Sequence, residues 1–144
     1  MATTMGFQPY DTSGVRVVHI PAAATPLFHK GDPVHLTAGL CGLATSDQSI
    51  YGVAAADHAT AGDQVPIYLA DPSTLWVGTV GTVSVAANLG VAYGITIDAG
   101  NGSIDLTDAV TTAVRIIDFH PADGAKTLGR VLFCFKNAVL QVAS

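Results

Sequence analysis

The sequence predicts an all-β protein, a small β-sandwich or barrel with an extended N-terminal arm and little helix. Short β-branched and aromatic runs recur along the chain, separated by Gly, Pro and Asp turns at intervals of roughly 8–12 residues, the spacing of small barrels and sandwiches. All 11 acidic residues are aspartate. Aspartate favours turns and caps where glutamate favours helix interiors, so this bias also points to strands and tight loops. Charged residues make up 12 % and hydrophobic residues 49 % of the chain, against about 25 % charged in ordinary soluble domains. Such a surface is expected to be covered in part by partners.

Taken in order, residues 1–26 carry few helix signals and are interrupted by Pro9, Gly14, Pro21 and Pro26. Between the breaks, Val15 to Ile20 is a short β run too small to bury much by itself. It reads as part of an extended arm that gains stability by lying on a neighbour or adding a strand to it. From Phe28 to Val80 come short strands. Gly31-Asp32-Pro33 turns into Val34-His35-Leu36, Leu40-Cys41 lies between Gly39 and Gly42, and Ile50 to Ala54 follows. Ala61-Gly62-Asp63 then leads into Val65 to Leu69, and Asp71-Pro72-Ser73 precedes Leu75-Trp76-Val77. Pro66, which cannot donate to a ladder, argues for an edge strand there.

Thr79 to Val85 and Tyr93 to Asp98 alternate in the same way. Gly100-Asn101-Gly102 is a strong hairpin turn into Ser103 to Leu106. Val114 to Phe119 and Arg130 to Val142 complete the series. Leu106 to Ala113, with Thr107 or Asp108 as cap, is the one place for a helical turn, opposed by its threonines and valine. The division is thus an arm over 1–26 and a β domain over 27–144, read either as one unit or as two small modules at 27–82 and 83–144.

A chain of 144 residues buries roughly two thirds of its unfolded surface and needs neither disulfide nor metal to fold. The spacing of Cys41 and Cys134 matches no metal or redox motif, and Cys134, within Val131 to Phe135, reads as a small buried hydrophobe. Free thiols point to assembly in a cytosol. Met1 to Asp11 lacks the basic start and apolar run of a signal peptide, and no apolar run is long enough to span a bilayer as a helix, so neither secretion nor membrane insertion is expected. With 6 cations against 11 acids and a net charge of −5, no basic stripe exists for nucleic acid.

No catalytic constellation emerges, and the chain is not expected to be an enzyme or to hold a cofactor. His19, His29, His35, His58 and His120 form no metal-binding motif, and the near pair, His29 and His35, straddles a turn. Asp32, Asp63, Asp71, Asp98 and Asp123 all sit in turn contexts. Asp57 beside His58 is the one weak dyad. No G-x-S-x-G elbow occurs, and neither cysteine has a neighbouring base. Gly90 to Gly94 and Gly100 to Gly102 lack the lysine or helix start of a phosphate loop. Tyr51, Tyr68 and Trp76 stand in nearly cation-free surroundings and read as core, with Trp76 also placed at a subunit contact.

Phe7-Gln8-Pro9-Tyr10, the Gly14 to Ile20 strand with Pro21, and Pro26 to Val34 resemble the start of capsid decoration, or cement, proteins of tailed bacteriophages. Tyr51-Gly52-Val53-Ala54, Gly62 to Val65 and Val65 to Trp76 with Asp71-Pro72 are similar to the same group, and the likeness thins after about Asn88. The order of these motifs over more than half the chain carries the resemblance.

It implies a β-tulip or related β-sandwich core and an arm reaching onto the capsid. The partners implied are the major capsid protein and further copies of the same chain, as trimers or, alternatively, dimers. The protein is then expected on the outer capsid surface of the virion, assembled in the host cytoplasm. Phe7, Pro9, Tyr10, Val15, Val17 and Ile20 of the arm, and Gly31, Asp32, Pro33 and Val34 of the turn, are expected capsid or subunit contacts, together with Trp76.

The physics of a cement suits this composition. A clamp bridging several coat subunits raises the free energy of separating them, and repetition turns modest contacts into strong attachment. A charge-poor surface buries with little desolvation cost. The rival reading is a receptor- or glycan-binding β module of a virion fibre or tail, which predicts exposed aromatics in a groove at Tyr10, Tyr51 or Trp76.

Overall fold

A computed structural model describes residues 6–11, 15–25, 27–44, 50–58, 60–70, 74–80, 88–97, 102–106, 108, 113–120 and 129–136. The regular structure is all β. Its strands are β1 (Gln8–Pro9), β2 (Val17–Pro21), β3 (Pro33–Thr37), β4 (Leu40–Leu43), β5 (Gly52–Ala54), β6 (Gln64–Leu69), β7 (Trp76–Thr79), β8 (Ala92–Thr96), β9 (Ser103–Asp105), β10 (Val114–Phe119) and β11 (Arg130–Phe135). The segments after Val80, around Gly100-Asn101, most of the proposed helical turn and the chain beyond Lys136 lie outside the described residues.

The strands form two antiparallel sheets. An N-terminal sheet has the order β2-β6-β5-β3-β4, and a C-terminal sheet the order β1-β7-β11-β10-β8-β9. Each curls until its far strands approach. Ala22 bridges Cys41 in the first and Val80 bridges Ile104 in the second, both in parallel sense. Those contacts are single bridges, and neither sheet closes into the barrel that the strand spacing also allowed. A bulge in β10 at Ile117 adds to the bend.

Local chemistry accounts for the joints. Thr37 pairs with Leu40 across Ala38 and Gly39, whose φ values of 51° and 82° make the two-residue turn that matches strand twist. Pro66 sits in β6, the second strand of its sheet, not on an edge. Its carbonyl accepts from Ala55 N–H, one residue beyond β5. The missing donor therefore faces the end of a ladder, where only one bond is lost.

Alternation along β11 buries Val131, Phe133 and Phe135 in one core with Ile116, Val114, Trp76 and Tyr93. Ile50 and Val53 join this core from the N-terminal half, and Tyr68 packs against it. Inside the curled N-terminal sheet lies a second core of Ala22, Phe28, Val34, Cys41, Ala54, Val65 and Ile67. Cys134, expected inside, is half-buried on the opposite face of β11, paired with exposed Arg115; the deeply buried thiol is Cys41.

The segment expected as an arm forms one outer strand in each sheet, β1 in the C-terminal and β2 in the N-terminal. The change from one sheet to the other falls between Leu69 and Trp76.

Candidate functional site

The N-terminal segment ties the two sheets together. Phe7 N–H donates to Gly31 O at 2.8 Å, and Tyr10 N–H to Leu75 O at 2.9 Å. Between them Gln8 pairs with Val77 and Pro9 with Trp76. The Phe7 ring is buried, edge-on to Phe133 with centroids 5.3 Å apart. Gly78 makes this possible, because a Cβ there would stand 2.7 Å from the Phe7 ring. Phe7 is therefore an internal anchor with no side-chain surface to offer a partner. Tyr10 is its outward counterpart. It is 49 % exposed beside Leu75 at 37 %, and its ring meets the edge of His120 at 6.5 Å. Tyr10 and Leu75 are thus exposed next to the two-residue strand β1, with the half-buried His120 ring against Tyr10.

A different surface lies along β2. Leu69 N–H donates to Arg16 O, and Ala22 N–H to Asp63 O, so even-numbered residues of this stretch bond to β6. By the two-residue period of an antiparallel ladder, Val17 and His19 turn their N–H and C=O groups away from the sheet. Both side chains are exposed, Val17 at 46 %. Val15 is half-buried, and Ile20 packs partly against the N-terminal core.

The Gly31–Val34 turn points inward. Asp32 N–H donates to His29 O at 3.0 Å, and the Asp32 carboxylate accepts from His29 N–H at 2.8 Å. The exposed His29 ring lies 3.9 Å from the same carboxylate. Gly31 N–H bonds to Ala54 O, and Asp32, Pro33 and Val34 are buried. The turn thus builds the seat to which Phe7 docks. Trp76 is likewise wholly buried, edge-on to Phe135 at 5.4 Å and to Tyr68 at 6.4 Å, and its Nε1 has no hydrogen-bond partner among the described residues.

Of the residues singled out from the sequence, Tyr10 and Val17 face solvent and Pro9, Val15 and Ile20 are half-buried. Phe7, Gly31, Asp32, Pro33, Val34 and Trp76 serve the interior. Of the aromatics weighed for a glycan groove, Tyr10 alone is exposed; Tyr51 is half-buried. Sequence reasoning missed the exposed apolar residues Leu27, Leu40, Leu75, Leu89 and Val91. Leu40 had a readable signal, since it follows an Ala-Gly turn at a hairpin tip.

The titratable groups are engaged in local structure. Asp57 Oδ1 accepts from Lys30 N–H at 2.9 Å, while His58 Nε2 lies 2.7 Å from Ala23 O and so carries the donated proton. Each holds a different part of the loop between β2 and β3, and the His58 ring packs edge-on to Phe28 at 4.9 Å. Among the described residues, no three His, Cys, Asp or Glu side chains cluster to hold a metal. His29 stands on the exposed turn, whereas His35 is half-buried in β3 with no partner for Nδ1 among the described residues. Burial pushes the Cys41 thiol above its ordinary range, and its Sγ lies 3.7 Å from Ile20 O. No protein-family model matches the chain, and no curated protein sequence matches it.

Proposed function

We propose that this chain is a capsid decoration, or cement, protein. It binds the outer surface of a phage head and stabilises the shell by bridging major capsid protein subunits. The observation that carries this reading is the exposure of Tyr10 and Leu75 beside the short edge strand β1, with the half-buried His120 ring against the tyrosine. Tyrosine offers large contact area at low conformational cost, and such rings dominate the energetics of protein interfaces. The patch belongs to a chain in which 12 % of residues are charged, so burying its surroundings strips water from few ions. The resemblance of its ordered motifs to those of tailed-phage cement proteins suggests the kind of partner. Attachment then requires no chemistry, only apolar area repeated over many equivalent sites.

Sedimentation of stripped heads with added protein tests the reading. Binding is expected to saturate at a fixed ratio to the coat subunit and to raise the temperature at which heads rupture. Tyr10→Ala is expected to weaken attachment about tenfold or more, the scale of a lost hot-spot side chain. Protein that never sediments with heads, or heads equally heat-resistant with and without it, would sink the proposal. Binding to a glycan array without binding to heads would transfer it to the receptor-binding reading.

A further inference from the structure

The Tyr10 site continues across the C-terminal sheet. Leu75 accepts the Tyr10 N–H, and it carries on the register that sets Trp76 against Phe133, so it stands beside Cys134. Cys134 in turn pairs with Arg115. Tyr10, Leu75, Cys134 and Arg115 therefore form one row over β1, β7, β11 and β10. Trp76 and Phe133 point into the ring core, so by strand alternation this row lies on the opposite face. Tyr10, Leu75 and Arg115 are exposed there, and Cys134 is half-buried.

The charge on this face runs against that of the whole chain. The protein carries a net charge of −5, yet the charged residues of these four strands are Arg115, Arg130 and a single acid, Asp118. Asp118 is turned to its own backbone, its Oδ1 accepting the Phe119 N–H at 2.8 Å. The Arg115 guanidinium has no hydrogen-bond or ion-pair partner among the described residues. A partner that covers Tyr10 and Leu75 and follows the row reaches Arg115 at its far end. Stripping water from a guanidinium is costly unless an opposite charge replaces it, and a carboxylate matches its fork of donors.

We propose that the segment of the coat protein seated on this row is extended and acidic. An apolar side chain of that segment lies against Tyr10 and Leu75, and a carboxylate meets Arg115. Three strand spacings separate β1 from β10, about 14 Å, which an extended chain covers in about four residues. The pattern recognised is thus an apolar residue and an aspartate or glutamate about four positions apart. The inference rests on the capsid reading for the identity of the partner and adds the partner's chemistry.

Sedimentation of stripped heads with the full chain tests it when wild type, Arg115→Gln and Lys30→Gln are compared over a sodium chloride series. Arg115→Gln is expected to weaken attachment about tenfold and to flatten its salt dependence, with the circular dichroism unchanged. Lys30 is an exposed cation of the N-terminal half, and its replacement should leave attachment as it was. Wild type and Arg115→Gln binding heads equally at every salt concentration overturns the acidic segment and leaves the capsid reading standing. Equal losses in Arg115→Gln and Lys30→Gln also overturn it, because the attraction is then general and not seated on this row. Two other occupants show themselves in the absence of heads. Arg115-dependent binding to a single-stranded oligonucleotide hands the face to phosphate, and Arg115-dependent self-association hands it to the aspartates of a second copy; either result overturns the proposal. Wild type that never sediments with heads ends the capsid reading, and the coat segment falls with it.

Discussion

The C-terminal sheet fills its interior with rings, whereas the N-terminal sheet fills its own with small aliphatic side chains. Phe7, Trp76, Tyr93, Phe133 and Phe135 meet in the first, largely edge-on. Ala22, Val34, Cys41, Ala54, Val65 and Ile67 share the second with one fully buried ring, Phe28, while Tyr51 packs on it from outside. A core of rings has few ways to fit, so it draws an anchor from a remote segment and clears room for it with a glycine at position 78. A core of small residues instead lets backbones approach. At Gly52 a Cβ would fall 2.3 Å from the carbonyl oxygen of Tyr68. The ring core thus grips the N-terminal segment, and the surface next to that grip carries the exposed Tyr10.

The largest effect that would break this contrast is at Phe7. Phe7→Ala is expected to cost about 3–5 kcal/mol of folding free energy, the range for a buried ring, read from urea denaturation. If Phe7 belonged to an outward arm, the loss would stay within about 0.5 kcal/mol. Gly78→Val should cost about 1–3 kcal/mol by overpacking. In the Phe7→Ala background the penalty should shrink, because one of the two rings it collides with is gone and Phe133 gains room to shift. A double-mutant cycle with no coupling would separate the two positions.

The small-residue core makes a prediction about alkaline pH. Burial raises the Cys41 thiol, so the folded state favours the neutral form. Stability from this group is fully present below the unfolded thiol's pKa and is lost as pH rises toward the folded value. Above about pH 8.5 the wild type should therefore lose at most about 1.4 kcal/mol per pH unit from this group, and Cys41→Ala should flatten that slope. The smallest expected effect is a gain. Ala38 holds φ 51° at the hairpin tip, and Ala38→Gly should relieve about 1 kcal/mol of left-handed strain, seen as a higher melting temperature.

Much of the secondary structure was legible from periodicity and turn chemistry. The runs Val34 to Leu36, Val65 to Leu69, Val114 to Phe119 and the start of the segment from Arg130 all coincide with strands. The surface was less legible. Phe7 and Tyr10 stand three positions apart in the same proline-broken stretch, yet one is sealed in and the other exposed. Nothing local distinguishes them, because Phe7 is buried by residues from β7 and β11. Pro66 misled for a related reason, since the cost of its missing donor depends on where the neighbouring strand stops.

The order of short strands, the all-β class and the scarcity of charge follow from the sequence alone, because turn residues and β-branched runs act over a few positions. Which side chains became core and which remained available for contact was decided only by the curl of two sheets and the crossing of the N-terminal segment between them. Burial is a property of what lies above a side chain, and in this chain that covering comes from residues far along the sequence.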